Sequence, residues 1–254
     1  MTEHVQDQIR VAVVTGGASG IGAATCRHLA AAGRAVAVLD LDGPGAQRVA
    51  DELRTMGGEA VGLAVDVTDR AQVDDAFAKV RADLGPTEIL VTSAGWCLFD
   101  DFADITPERW AQVIDVNLTG TFHPCQAALP DMVAAGWGRI VTISSSSAQR
   151  GSPRNAHYAA AKGAVIVLTK SLARAYAAQG ITANSIPPSA IETPMQLASQ
   201  AIGDLPPNDV IAATVPMGHL GTPDDIAAAA TFLASDGAGF ITGQVLGVNG
   251  GSVL

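Results

Sequence analysis

A chain of 254 residues with 48% hydrophobic and 4% aromatic content is long enough to bury a large core and too apolar for intrinsic disorder. Its formal charge of -10 and pI near 4.7 argue against a nucleic-acid surface or an anionic membrane as partner, since both draw basic patches. Three cysteines, Cys26, Cys97 and Cys125, are odd in number, widely spaced and set among apolar residues, so neither a disulfide framework nor a metal site is expected.

The first residues, MTEHVQDQIR, contain no apolar export core, and the most apolar later stretch, AVIVL, is too short to cross a bilayer. A cytoplasmic, soluble protein is expected. Apolar runs of strand length then alternate with helical patterns, at residues 9–15, 35–40, 59–67, 87–93, 138–145, 181–186 and 244–250. Runs that are mostly apolar rather than alternating, separated by crossover-length segments, predict parallel strands covered by helices on both faces. The expected fold is a Rossmann-type, doubly wound α/β sheet of seven parallel strands in three α/β/α layers. No linker or repeat breaks the rhythm, which predicts one domain over residues 1–254. Residues 187–221 differ, carrying Pro187, Pro188, Pro194, Pro206, Pro207 and Pro216 among short helical pieces. A mobile flap over the carboxyl edge of the sheet is expected there.

Between the first strand and the helix after it, Gly16, Gly20 and Gly22 are spaced Gly-x-x-x-Gly-x-Gly. Glycines there allow a tight turn, and the free N–H groups of the helix end attract a pyrophosphate; a purely structural glycine turn is the competing reading. Asp40 ends the second strand. A carboxylate at that point can accept hydrogen bonds from both adenosine ribose hydroxyls and repel a 2'-phosphate, so NAD is expected over NADP. A turn-capping aspartate is the alternative. Asp66, at the end of the third strand, either faces adenine or caps the helix starting near Thr68. Tyr158 and Lys162, four residues apart in an alanine-rich stretch, share one face if that stretch is helical.

TGGASGIG, Asp40, Asp66-Val67, Asn117 in VNLTG, the serine run before YAAAK and the terminal GFITGQVLGVNGG together resemble the short-chain dehydrogenase/reductase family over essentially the whole chain. Within that family the chain is similar to 3-oxoacyl-carrier-protein reductases and 2-hydroxycyclohexanecarboxyl-CoA dehydrogenases. The resemblance implies an oxidoreductase interconverting a secondary alcohol and a ketone, the substrate being a cyclic alcohol or a 3-hydroxyacyl thioester. It implies a catalytic set of Ser145, chosen from the run of four by its spacing from the tyrosine, with Tyr158, Lys162 and Asn117. It also implies cofactor contacts from Gly16, Ser19, Gly20, Ile21, Gly22, Asp40, Asp66, Val67, Ala94, Gly95, Tyr158, Lys162 and Thr193, and a homotetramer.

In the implied mechanism Tyr158 exchanges a proton with the substrate oxygen, Ser145 holds that oxygen, Lys162 binds the nicotinamide ribose, and Asn117 holds a water linking Lys162 to solvent. A lysine cation about 4 Å from the phenol would favour the phenolate by up to roughly 4 kcal/mol. Tyr158 would then titrate near neutrality, well below the usual value of about 10.

Two positions depart from the family pattern. Thr92-Ser93-Ala94-Gly95 stands where the family often has Asn-Asn-Ala-Gly, so central-sheet hydrogen bonds must come from hydroxyls or be lost. Pro187-Pro188 stands where Pro-Gly is usual, which predicts another path for the loop leading to Thr193. The substrate wall is expected from Trp96, Leu98, Phe99, Gln149, Arg150, His157, Ile191 and Met195. Arg150 and Arg154 either approach a carboxylate or phosphate or are solvated loop residues. The competing function is a non-catalytic NAD-binding sensor or assembly subunit.

Overall fold

The computed structural model describes residues 9–254; residues 1–8, most of the stretch read above for an export core, lie outside them. The described strands are β1 (Val11–Thr15), β2 (Ala35–Asp40), β3 (Ala60–Ala64), β4 (Thr87–Thr92), β5 (Gly138–Ile143) and β6 (Ile181–Ile186). All pairs are parallel, in the order β3-β2-β1-β4-β5-β6. Alternate residues of each strand feed two separate cores. Ala12, Val14, Val36, Val38, Ile89, Val91 and Val141 face one side. Val11, Val13, Ala35, Ala37, Leu39, Leu90 and Ile140 face the other. Both faces being apolar is the reason the strand runs read as continuous rather than alternating.

Helices α1 (Gly20–Ala31), α2 (Gly43–Thr55), α3 (Arg70–Asp83), α5 (Gly120–Ala135), α7 (Ala156–Tyr176) and α10 (Pro223–Leu233) pack on these faces, and α4 (Pro107–Ile114), α6 (Ser147–Arg150), α8 (Pro194–Ala201) and α9 (Asn208–Ala212) are the shorter α-helices of the described residues. A π-helical turn, Asp115–Thr119, joins α4 to α5. Residues 187–221 hold α8 and α9, and Asn208 accepts hydrogen bonds from Gln196 and Gln200 of α8, tying the two short helices together. No described helix is long and apolar enough to cross a membrane.

The expected seventh strand does not form; among the described residues the sheet has six. Residues 244–250 run beside β6 and pair as isolated bridges, Ser185 with Val245 and Pro188 with Val248. Ser185 donates to the Gln244 carbonyl and Leu246 to the Ser185 carbonyl, both at 2.9 Å. The next rung of a parallel ladder in this register requires an N–H from residue 187 toward the Leu246 carbonyl. Pro187 has none, and the pairing is interrupted before the bridge at Pro188.

The Thr92-Ser93 departure resolves in two ways. Ser93 and Ala94 keep their backbone hydrogen bonds by donating to the carbonyl and the hydroxyl of Thr15. The Thr92 hydroxyl, 1% exposed as a residue, has no hydrogen-bond partner among the described residues. A buried, unpaired hydroxyl is costly, so Thr92→Val, which keeps the shape, should stabilise the protein by roughly 1 kcal/mol. A rise in the urea midpoint at unchanged slope is the expected result; a fall would show that the hydroxyl is satisfied.

Candidate active site

The strand order reverses between β1 and β4, and a cleft of about 1290 Å³ opens there at the carboxyl ends of the strands. It is lined by the loop after β1, the ends of β2 to β5, α7 and the α8 region.

The loop after β1 fits a diphosphate for steric and electrostatic reasons. Gly16 has φ +66°, and a Cβ on it would lie 2.7 Å from the Ala94 backbone; a Cβ on Gly22 would lie 2.0 Å from the Gly16 carbonyl oxygen. Only glycine permits this approach. Ser19, exposed and without a side-chain capping bond, precedes α1, whose first turn carries no acid to compete with an anion. Gly16, Ser19, Gly20, Ile21 and Gly22 all line the cleft.

At the adenosine end, Asp40 accepts hydrogen bonds from Ala18 N–H at 2.9 Å and Asp42 N–H at 3.0 Å, one on each carboxylate oxygen. Its carboxylate is therefore fixed at the cleft wall rather than free to turn away. Asp66 caps the turn to Thr68, accepting from that residue's N–H and hydroxyl on Oδ1. It does not cap the following helix, which starts at Arg70 and is capped by Asp69. Asp66 and Val67 line the cleft, as do Ala94, Gly95 and Thr193. Despite Pro188, the later loop reaches the cleft: Pro188 accepts from Ser146 N–H at 2.8 Å, and Thr193 caps α8.

Ser145 lies just beyond β5, while Tyr158 and Lys162 sit one turn apart on α7, and all three line the cleft. Lys162 is 3% exposed; its Nζ donates to the Ile143 carbonyl at 3.0 Å and lies 5.8 Å from the Tyr158 ring centre. Burial pushes the ammonium down to about 8. Although Tyr158 keeps some surface in the cleft, desolvation pushes its phenol above its usual value, Cys97 adds to this, and a hydrogen bond with Ser145 opposes it. The expectation of a phenol titrating near neutrality is thus corrected. Burial disfavours the charged form of both groups.

Asn117 does not line the cleft. It is fully buried, with Nδ2 donating to the Trp96 and Val113 carbonyls and Oδ1 accepting from Trp96 N–H. Its side chain brackets the segment after β4. It nevertheless comes near Lys162: a Cβ on Gly95 would lie 3.0 Å from Asn117 Oδ1 and 3.2 Å from Lys162 Nζ.

On the substrate side Trp96, Phe99, Arg150, Ile191 and Met195 line the cleft, whereas Leu98, Gln149 and His157 do not. Gln149 is exposed outside it. His157 is fully buried, facing Asp100 with Nε2 at 3.3 Å, and is no pocket wall. Arg150 has no ion-pair partner among the described residues, while Arg154 bonds to Asp204 in the α8–α9 connection. Cys97, Asn155, Gln196 and Ser199 line the cleft without having been expected there. None sits in a spacing that marks a site. Burial pushes the Cys97 thiol up to about 11, so it is not a nucleophile near neutrality. Among the described residues no three His, Cys, Asp or Glu side chains group as metal ligands.

The lowered Lys162 has a measurable consequence in the cofactor-free protein. Between about pH 8 and 10.5 the unfolded chain still holds the proton that folded Lys162 has lost, so this group makes stability rise with pH across that window. Lys162→Met should remove that contribution and flatten the profile. Urea unfolding at a series of pH values tests this, and an unchanged slope in the variant would contradict it.

The model of the family described as enoyl-(acyl carrier protein) reductase matches residues 16–252. The chain is 43% identical over 245 residues to acetoacetyl-CoA reductase of Rhizobium meliloti (strain 1021), covering 95% of this chain and 98% of that protein. It is 40% identical over 247 residues to cis-4-hydroxycyclohexanecarboxylate dehydrogenase of Sinomonas cyclohexanicum, covering 95% and 96%. The crystal structure of a gluconate 5-dehydrogenase from Burkholderia cenocepacia J2315 in complex with NADP and tartrate superposes with a TM-score of 0.89 at 36% identity, covering 96% of this chain and 94% of that one. With the strand order, the glycine loop and the serine, tyrosine and lysine of the cleft, these matches establish that the chain belongs to the short-chain dehydrogenase/reductase family of oxidoreductases.

Proposed function

We propose that the protein is an NAD(H)-dependent oxidoreductase that interconverts a secondary alcohol and a ketone. In this reading it works as one catalytic domain over residues 1–254 with 187–221 as its flap, in the cytoplasm, as a homotetramer. The observation that carries the reading is the convergence of Ser145, Tyr158 and Lys162 on one cleft that also holds the glycine loop and Asp40. Exposed Trp110, Phe122 and Val167 on α4, α5 and α7 support the assembly.

The glycine loop and the open start of α1 would hold the diphosphate, Asp40 the adenosine ribose, and Lys162 the nicotinamide ribose. When bound, the nicotinamide gives or takes the hydride. Ser145 orients the substrate oxygen by donating a hydrogen bond to it, and Tyr158 supplies a proton to that oxygen as the carbonyl becomes an alcohol. In the reverse direction Tyr158 must first be made basic, and the ammonium of Lys162 is the group placed to help.

Asp40 supports NAD because two backbone N–H bonds hold its charge in place, and neighbouring Leu41 is exposed and offers no cation. Arg48 is paired with Asp42 at 3.5 Å. The related gluconate 5-dehydrogenase structure contains NADP, so the choice turns on residue 40 and its surroundings rather than on the fold. For the substrate, the acetoacetyl-CoA reductase relative favours a 3-oxoacyl thioester and the hydroxycyclohexanecarboxylate dehydrogenase a cyclic alcohol. Unpaired Arg150 beside an apolar wall of Trp96, Phe99 and Met195 suits an acyl or ring body carrying a carboxylate or phosphate.

Titration of both cofactors by protein fluorescence should give tighter binding of NADH than NADPH, with the gap narrowed in Asp40→Ala. Tighter NADPH binding by the native protein would sink the cofactor assignment. With acetoacetyl-CoA and cyclic ketones as test substrates, Tyr158→Phe should abolish turnover while cofactor binding survives. Ser145→Ala should lower turnover by roughly 10²-fold or more, the scale of a lost oxyanion donor. Near-native turnover by Tyr158→Phe would instead favour the non-catalytic cofactor-binding module.

A further inference from the structure

Helix α7 begins in an unusual way. Asn155 is its N-cap residue, yet makes no side-chain capping bond. An asparagine there ordinarily turns its oxygen onto an N–H of the first helical turn. In this chain the N–H of Tyr158 donates instead to Nδ1 of His157, at 3.0 Å. Since Nδ1 accepts, the ring proton lies on Nε2, which donates to Asp100 Oδ2 at 3.3 Å. The other carboxylate oxygen of Asp100 takes the guanidinium of Arg109 on α4. The backbone N–H of Asp100 donates to the Arg154 carbonyl at 2.7 Å, just before α7.

Released from capping, Asn155 turns to the same segment. Its Nδ2 donates to Cys97 Sγ at 3.4 Å, and the thiol donates in turn to the Leu98 carbonyl. The segment after β4, which brings Trp96, Cys97 and Phe99 to the cleft, is thus fastened to the root of α7 at the two residues flanking Ala156. One of them, His157, directly precedes Tyr158.

We propose that His157 and Asp100 are positioning residues that set Tyr158 against the substrate wall, His157 by holding the Tyr158 backbone and Asp100 by tying that histidine to the wall. This rests on reading Tyr158 as the proton donor. Neither residue lines the cleft, and His157 has no exposed surface.

The two arms can be cut separately. In His157→Asn the amide oxygen replaces Nδ1 and keeps the bond to Tyr158 N–H, but cannot reach Asp100. In His157→Gln the amide nitrogen replaces Nε2 and keeps the Asp100 bond, but leaves Tyr158 N–H free. For acetoacetyl-CoA reduction, or for whichever test ketone the native protein turns over, His157→Gln should lower kcat by about tenfold with little change in KM. His157→Asn should raise KM with kcat closer to native. Asp100→Asn should resemble His157→Asn.

In the cofactor-free protein, the Tyr158 amide proton should exchange about fivefold faster in His157→Gln than in His157→Asn, the loss of one hydrogen bond worth about 1 kcal/mol. Cofactor affinity should stay native in all three. The proposal is overturned if the folded Asn and Gln variants share native kcat and KM. It is also overturned if kcat, KM and cofactor affinity deteriorate together in both, in step with lost thermal stability, as a merely structural histidine would give. Turnover surviving in Tyr158→Phe removes the proton-donor reading by itself. Native kinetics in the His157 variants, with Tyr158→Phe inactive, removes this proposal alone.

Discussion

Lys162 carries an ammonium into the interior with the Ile143 carbonyl as its hydrogen-bond partner and no carboxylate within ion-pair distance among the described residues. A charge so placed is expensive to keep, and the site is arranged around it. Strand β5 ends at Ile143, leaving that carbonyl free to accept. Gly95 has no side chain to crowd Nζ. The desolvation that lowers the ammonium also raises the phenol of Tyr158, since in each case burial disfavours the charged form.

Features governed by local backbone were legible in the sequence. The strand runs of β1 to β6 stand out because both faces are buried, and the glycine spacing stands out because the turn around Gly16 and Gly22 admits no side chain. Residues 244–250 carry the same apolar signal, but whether they join the sheet depends on a proline in another segment, which periodicity cannot register. His157 was placed on the cleft by its adjacency to Tyr158. Successive residues of a helix point about 100° apart, so the neighbour of a cleft residue need not face the cleft. Asn117 is recognisable in its motif, yet its bonds run to Trp96 and Val113, contacts fixed by a π-helical turn that the sequence does not announce.

The two sides of the cleft are built differently. The adenosine side consists of glycine backbone and fixed carboxylates, with almost no adjustable parts. The substrate side is assembled from four separate segments: the stretch after β4, the root of α7, the α8–α9 region and the stretch after β5 that carries Ser145 and Arg150. Arg154 joins the second to the third through Asp204, at 3.1 and 3.2 Å. A related chain can exchange any one segment without disturbing the sheet, which suits a scaffold whose relatives include both a thioester reductase and a cyclic alcohol dehydrogenase.

The interrupted pairing at Pro187 separates the carboxyl-terminal tail from the cooperative unit of the sheet. Besides its two isolated bridges, the tail is held by Gly243 N–H donating to the Ala183 carbonyl at 2.8 Å, Met217 N–H to the Gly250 carbonyl at 3.2 Å, Gln244 N–H to the Asn184 side chain, and the Ser189 hydroxyl to the Asn249 carbonyl. Opening it breaks these few bonds and leaves the β5–β6 ladder whole, so it is a candidate for sub-global unfolding well below the cost of global unfolding. Because Pro188 and Ser189 also line the cleft, such a fluctuation would loosen the cleft floor from behind. Ligand exchange would then have a route that does not require the sheet to move.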